Sequence, residues 1–374
     1  MEYHLTKTPL LIFHFTQDRH DDGSRRSRHH TIRGALSATC FISARSFRIN
    51  REEGQTSGIR GFVSKIPVPI CGLSLGLASL DRFLWYIYAD VYVFNVFALF
   101  AFIIAGLFTL RIILDGRGIL REIQTPAIFG VLPTYTMTLM LLSAYAADHM
   151  GGMIADISLG VWAGAIIMSY VFMLFFIRKA FFGFSMDKVM PSWIIIFVGY
   201  VVASVTSPSF GMEGLGRMLF WSGFIGYAAM LPLLAYRTLI FRKIPEHLVP
   251  TIAIFAAPVN LCITGCIAAY GDDLTAMAGT ALMILTVMGV ISYAIVVAYL
   301  PVMLNRKFYP SFAAMTFPLV ISTVAFYRLG EHHDLLSNGI FSILQMATLV
   351  IAVFIVVYVL IRYIVFLSAT ARSV

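Results

Sequence analysis

The pair Asp81-Arg82 is the closest that charged side chains come to the middle of an apolar stretch in this sequence. An ionisable group at the centre of a bilayer costs at least about 2.5–3.5 kcal/mol, so those that persist usually serve ion passage or proton coupling. Asp81 and Arg82 lie toward the outer end of their stretch. They could guard the outer mouth of a transport path, or form an ion pair at the membrane interface with side chains that extend into water.

No other group of residues suggests bond-making chemistry. All nine histidines lie outside the apolar stretches, and no acidic or basic side chain falls in the centre of one. Cys262 and Cys266 are one helical turn apart, but no third and fourth ligand of a metal site is in view. We therefore predict no catalytic residue, no metal and no cofactor. A membrane enzyme or a scaffold is the less favoured class, because it would need clustered histidines or acidic residues at a membrane face, or long folded loops.

Uncharged polar side chains inside the apolar stretches are candidates for contact with a transported solute. Their hydroxyl and amide groups could line a path, and each could equally bond to a neighbouring helix or to its own backbone. The candidates are Ser74, Thr134, Thr138, Asn260, Thr264 and Ser322.

Composition places these residues in a membrane. The chain of 374 residues is 59% hydrophobic and 12% charged, with a mean hydropathy of +0.84, which exceeds what a soluble core of this size requires. Ten apolar stretches are each long enough to cross about 30 Å of hydrocarbon as a helix, so we predict an all-α integral membrane protein. We name these stretches spans 1 to 10 and predict them at residues 66–88, 91–114, 125–147, 153–177, 190–207, 215–241, 249–270, 275–303, 309–329 and 339–367.

The distribution of charge orients the spans. Lysine and arginine in short loops stay on the cytoplasmic side of a membrane. The loops after the even-numbered spans are rich in these cations, and the loop after span 2 holds Arg111, Arg117 and Arg121. The opposite loops are acidic, with Arg217 and Arg328 against the trend. We therefore predict that both termini are cytoplasmic and that the spans form five helical hairpins.

The leading residues differ from the rest of the chain. Residues 1–62 are polar and basic and show no sustained apolar period, so we predict a mostly disordered cytoplasmic tail before a membrane domain at 63–370. The net charge of +8 could suggest a nucleic-acid partner. The basic residues, however, lie in this tail and in short loops, without an aromatic-interleaved basic surface, and we predict no such partner.

Proline is concentrated in the odd-numbered spans, which recur every 60 residues or so. Ten of the 14 prolines lie in or at the ends of these spans. Proline inside a helix removes a backbone hydrogen bond, and the freed carbonyl must face protein or water rather than lipid. We therefore predict that the odd spans form an inner, quasi-five-fold ring around a central pore, with kinks at Pro69, Pro133, Pro258 and Pro318. The backbone dipoles exposed at such kinks could stabilise an anion without any buried charge.

Several short motifs follow one another in the odd-numbered spans. They are Gly72-Leu73-Ser74-Leu75-Gly76-Leu77-Ala78 in span 1, Pro191-Ser192-Trp193 in span 5, Ala256-Ala257-Pro258 in span 7 and Ala314-Met315-Thr316-Phe317-Pro318 in span 9. In this order they resemble the tellurite-resistance and C4-dicarboxylate transporter family, over roughly residues 62–370. That family includes bacterial TehA, fungal malate and sulfite transporters, and the plant guard-cell slow anion channels.

The resemblance implies a homotrimer in the cell membrane, in which each protomer has its own pore closed by a phenylalanine of span 9. By position this residue is Phe317, although a phenylalanine in an apolar helix is usually a packing residue. The expected function is passage of small anions such as chloride, nitrate, sulfite or a dicarboxylate. The alternative is a proton-coupled carrier of C4-dicarboxylates, which would need a titratable group in the path, and Asp81 is the only near candidate. The chain departs from the family pattern in the Asp81-Arg82 pair and in its basic leading tail.

Overall fold

The computed structural model describes residues 58–88, 95–181, 185–186, 189–238 and 245–372. Every described residue belongs to one compact unit, Ser57–Val374. The prediction of a disordered tail at 1–62 therefore lies outside the described residues up to residue 57. The last residues of that segment belong to a short helix, Ile59–Ser64.

Ten helical spans dominate the described residues, which contain no β-strand. Each is long and apolar enough to cross a membrane, so the prediction of an all-α protein with ten spans is confirmed. Their bounds are Ile70–Ile87, Asn95–Glu122, Pro126–His149, Met153–Lys179, Trp193–Phe210, Glu213–Tyr236, Glu246–Tyr270, Ala276–Leu304, Pro310–His332 and Gly339–Arg372. The largest difference from the prediction is in span 2, whose helix continues past the apolar stretch to Glu122.

Burial alternates along the chain. In an apolar stretch of 18 residues within each span, 72–78% of the residues are buried inside the protein in the odd-numbered spans and 28–39% in the even-numbered spans. The proline-rich spans are therefore the interior ones. This is the arrangement that a bilayer requires, because backbone groups freed by proline find partners only inside protein or in water.

The odd spans contact one another in a cycle. Span 1 packs against spans 3 and 9, span 5 packs against spans 3 and 7, and span 7 packs against span 9. Each even span packs against the odd span that precedes it. The cycle of contacts gives the buried spans a shared interior, and the even spans cover them from outside.

Spans 3, 7 and 9 are not single continuous α-helices. Span 3 is interrupted at Leu132, between the helices Pro126–Val131 and Pro133–His149. Spans 7 and 9 each begin as a 3-10 helix and become α-helical at Ala257 and Thr316.

The predicted kink prolines lie at or next to these changes. Pro133, Pro258 and Pro318 are in the first turn of the α-helix that follows each change, where proline costs no hydrogen bond. Pro69 differs, because it immediately precedes the helix Ile70–Ile87 and starts it instead of bending it. The prediction of a kink at Pro69 is therefore wrong.

Arg111 does not lie in a cytoplasmic loop as the sequence predicted. It is fully buried within span 2, where its guanidinium pairs with Glu122 and donates to the backbone oxygen of Ile66, just before span 1. The backbone of Asp115 leaves the helical region, with φ −136° and ψ 41°, and this bend lies between the two partners in sequence. An ionisable side chain inside the protein at the end of span 2 thus ties that span to the start of span 1.

A close approach between spans 1 and 9 depends on Gly76. A Cβ atom at Gly76 would lie 2.6 Å from both Cβ and Oγ1 of Thr316 and 3.1 Å from the backbone nitrogen of Phe317. The Thr316 hydroxyl also donates to the Gly72 oxygen at 3.0 Å. Only a residue without a side chain permits this contact, since β-branched threonine has little freedom to move aside.

We expect Arg111→Gln to destabilise the protein by about 3 kcal/mol, at the lower end for a broken buried ion pair, because Glu122 is partly exposed. Thermal unfolding of the purified protein in detergent measures the loss. Arg117→Gln, an exposed cation of the same helix, is the matched control. Equal unfolding temperatures for the two variants would contradict the assignment, whereas Arg111→Gln with Glu122→Gln should recover part of the stability.

Gly76→Ala is expected to destabilise the protein by about 1–3 kcal/mol, because the added methyl forces spans 1 and 9 apart. Gly106→Ala is the control, since a Cβ atom there meets nothing within 4 Å and alanine is the better helix former. Thermal unfolding should separate the two variants. If Gly76→Ala unfolds at the temperature of Gly106→Ala, the contact with Thr316 does not limit the packing of these spans.

Candidate functional site

A wide cavity of about 190 Å³ lies among the C-terminal halves of the odd spans. Its walls come only from these spans, and it contains aromatic, aliphatic and charged side chains. The wide cavity is lined by Ser79, Arg82, Phe83, Trp85, Tyr86, Leu141, Tyr145, Asp148, His149, Val202, Val205, Pro208, Leu261, Thr264, Phe317, Ile321, Val324 and Arg328.

A second, narrow cavity of about 40 Å³ lies among the first halves of the same spans. Its lining contains no charged residue, and its one hydroxyl, on Thr134, donates to the Val131 oxygen at 2.6 Å. The narrow cavity is lined by Gly72, Leu75, Val131, Thr134, Met137, Ile195, Val198, Gly199, Ile254, Ala257, Pro258, Leu261, Ala313, Ala314, Phe317 and Pro318.

Phe317 lines both cavities, as does Leu261. The phenylalanine is in the first turn of the α-helix of span 9, next to Pro318, and is 5% exposed. Its backbone is held against span 1 by the contact between Gly76 and Thr316. The ring therefore lies where the narrow and wide cavities meet.

Only two of the six predicted polar lining residues line a cavity. Thr134 faces the narrow cavity and Thr264 the wide one. Ser74 instead donates to the Ala101 oxygen of span 2 at 2.8 Å, and Thr138 donates to the Thr134 oxygen at 2.8 Å. A hydroxyl group can satisfy itself on a backbone carbonyl as readily as on a solute, and these two do so.

Asn260 and Ser322, also predicted to line the pore, instead join spans 7 and 9. The Asn260 amide donates to the Ser322 hydroxyl and to the Ala256 oxygen, both at 2.8 Å. The Ser322 hydroxyl donates in turn to the Pro318 oxygen at 2.7 Å. This chain of bonds fixes the turn of span 9 that carries Phe317, so the two residues position the site without lining it.

Asp81 and Arg82 do not pair with each other. Arg82 lines the wide cavity, with Nη1 2.7 Å from Asp148 Oδ2 and Nη2 2.8 Å from the Ser209 hydroxyl. Asp81 is buried, accepts a hydrogen bond from the Ala98 nitrogen at 2.9 Å and lines neither cavity. Successive helical side chains point about 100° apart, which explains why one residue faces the cavity and the other faces span 2. The prediction that Asp81 lies at the mouth is therefore wrong.

Arg328 is a charged lining residue of the wide cavity that the sequence analysis did not select as a site residue. Its Nη1 donates to the Tyr86 hydroxyl at 2.6 Å and to Glu331 Oε2 at 3.0 Å, which links span 9 to span 1. The sequence feature that could have identified Arg328 is its positive charge, which is an exception among the acidic outer loops.

Charged side chains line one of the two cavities. Two guanidinium groups and one carboxylate face the wide cavity, and the lining of the narrow cavity is uncharged. Among the described residues, no group of three or more histidine, cysteine or acidic side chains could hold a metal ion. The two linings thus differ in charge, and Phe317 belongs to both.

Comparison with known proteins agrees with this geometry. No curated protein matches the chain. The family model SLAC1, described as voltage-dependent anion channel, matches residues 66–364, which covers spans 1 to 9 and most of span 10. The match includes the motifs that resemble the tellurite-resistance and C4-dicarboxylate transporter family, so that resemblance is confirmed. The chain is therefore a multi-pass membrane protein that belongs to the SLAC1 family of voltage-dependent anion channels.

Proposed function

We propose that this protein conducts small anions along the axis of its five buried spans and that Phe317 closes the path between the narrow and wide cavities. Family membership and the ten apolar spans support anion transport. The observation that carries the finer proposal is the position of Phe317, which lines both cavities while all the other lining residues also come from odd spans.

An aromatic ring is well suited to close such a path. A narrow apolar constriction excludes water and thereby excludes hydrated ions. The narrow cavity, at about 40 Å³, has room for only a few waters, since one water needs roughly 10–15 Å³ of this measure. An anion would have to lose most of its hydration there, and rotation of one side chain at Phe317 would widen the passage.

Helix ends provide the stabilisation that charged groups do not. The α-helices that start at Pro133, Ala257 and Thr316 place their first turns beside the narrow cavity, through Thr134, Pro258 and Phe317 among others. A helix N-terminus carries about half a positive charge. Three of them around an uncharged chamber favour anions over cations, and they do so weakly enough for the ion to leave.

The surrounding assembly follows from the same proposal. The cycle of contacts among the odd spans supports a quasi-five-fold ring of helical hairpins, with the even spans toward lipid. The cations at the ends of the even spans orient both termini to the cytoplasm. Each chain has its own path, and family resemblance supports a homotrimer in the cell membrane.

Proton coupling has weak support in the path. A carrier that moves protons with a dicarboxylate needs titratable groups along the whole route. The wide cavity is lined by Asp148 and His149, but the narrow cavity is lined by no titratable residue. Asp81, the candidate for that role, contacts span 2 and lines neither cavity. These contacts favour a channel driven by voltage and anion gradients.

Phe317→Ala is expected to raise anion current at least about tenfold, because it removes the apolar constriction. Currents are recorded from purified protein in planar bilayers under imposed voltage. Phe326→Ala is the matched control, since Phe326 is on the same helix, packs against Tyr293 of span 8 and lines neither cavity. Equal currents from the two variants would show that Phe317 does not close the path.

Anion flux is also expected to follow voltage and to be unaffected by a pH gradient, and Asp81→Asn should leave the anion selectivity unchanged. Reversal potentials in proteoliposomes, with and without a pH gradient, measure both effects. If dicarboxylate uptake follows the pH gradient and is lost in Asp81→Asn, the channel proposal is wrong and the protein is a proton-coupled carrier.

A further inference from the structure

Two guanidinium groups from different spans face the wide cavity. Arg82 comes from span 1 and Arg328 from span 9, and each side chain is 27% exposed, so both can be reached by a solute. They are close enough for their positive charges to act on each other. Two like charges at one cavity repel, and an anion bound between them would relieve that repulsion.

Both guanidinium groups are held in place by partners that leave part of them free. The Arg328 group lies 4.4 Å over the Tyr86 ring, and its Nη1 makes the bonds to Tyr86 and Glu331. The Arg82 group bonds to Asp148 and Ser209 through Nη1 and Nη2. Each group has five N–H donors, and its bonds to described residues use two. Neither carboxylate takes the two parallel bonds that a guanidinium can offer.

We infer that the wide cavity contains a binding site for a small planar oxyanion of the carboxylate type, held between Arg82 and Arg328. Planar oxyanions match the fixed fork of guanidinium donors, whereas a halide accepts from the same donors without that geometry. The site rests on the proposed function only in that it lies along the proposed path, before the constriction at Phe317. There it would raise the local anion concentration and favour oxyanions over chloride.

The carboxylates of Asp148 and Glu331 hold the two guanidinium groups in position. Asp148 lines the wide cavity and bonds to Arg82, while Glu331 holds Arg328 beside Tyr86. They keep the guanidinium groups ordered when the cavity holds only water. They also lower the net positive charge, so a bound anion is held weakly enough to move on.

The experiment measures binding without reference to transport. The purified full chain in detergent is titrated with sodium acetate or sodium chloride at constant ionic strength, and thermal unfolding reports the apparent affinity. Arginine and its carboxylate partner are neutralised together, because a single change would leave one charge of the pair without its partner and alter the net charge of the cavity. The two test variants are Arg82→Gln with Asp148→Asn, and Arg328→Gln with Glu331→Gln.

The matched control is Arg217→Gln with Asp273→Asn, an ion pair of 3.4 Å whose residues line neither cavity. We expect acetate to stabilise the wild-type protein and this control at concentrations at least tenfold lower than chloride requires. Each test variant should weaken the effect of acetate tenfold or more. Arg328→Lys keeps the charge and should lose the preference for acetate over chloride, which a purely electrostatic or structural role would not change.

Two results would overturn the site. One is equal stabilisation of the wild-type protein by acetate and chloride, and the other is unchanged acetate affinity in both test variants. Parallel current measurements separate this inference from the proposed function. If acetate binding depends on the arginines but the protein carries no anion current, the binding site is supported and the channel proposal is wrong. If the protein carries anion current but acetate binding does not depend on the arginines, the channel is supported and the binding site is wrong.

Discussion

Satisfaction of backbone hydrogen bonds in a bilayer is the constraint on which this structure depends. Spans 3, 7 and 9 contain helix changes at Leu132, Ala257 and Thr316, each close to a proline, which has no backbone N–H to donate to a helical partner. Lipid offers no substitute partner, so these spans must lie inside the protein. The nearly continuous even helices can face lipid, and their low burial agrees with that position. The interior thus holds the only part of the chain whose backbone can interact with a solute.

Close packing then converts this interior into a site. Gly76 allows span 9 to approach span 1 until Thr316 bonds to the Gly72 oxygen. On the other side, the bonds from Asn260 to Ser322 and from Ser322 to Pro318 hold the same turn against span 7. Phe317 is between these two attachments. Its backbone is fixed from both sides while its ring faces the cavities, which is the combination that a movable side-chain gate requires.

Of the two cavities, only the wide one is lined by charged residues. A charged side chain in the narrow cavity would lose its hydration, which costs free energy. A positive charge there would also bind a passing anion too tightly. At the rim, the pairs Arg82–Asp148 and Arg328–Glu331 are partly exposed, so the cost is smaller. In the path that we propose, the helix ends would stabilise an anion weakly at the constriction, and the guanidinium groups would bind it before the constriction.

The amino-acid sequence by itself determined the ten spans, the interior position of the odd ones and the family, because apolar length, proline content and motif order are local properties. It also located Phe317 by its motif. It could not determine which way a side chain points. Four polar residues that were predicted to line the pore bond instead to the backbone or to each other, namely Ser74, Thr138, Asn260 and Ser322. Arg111 points into the protein and pairs with Glu122. Arg82 and Arg328 meet at one cavity although span 1 and span 9 are far apart in the chain. Only the tertiary structure decided these matters, because the partner of a polar group is set by the helices that pack around it.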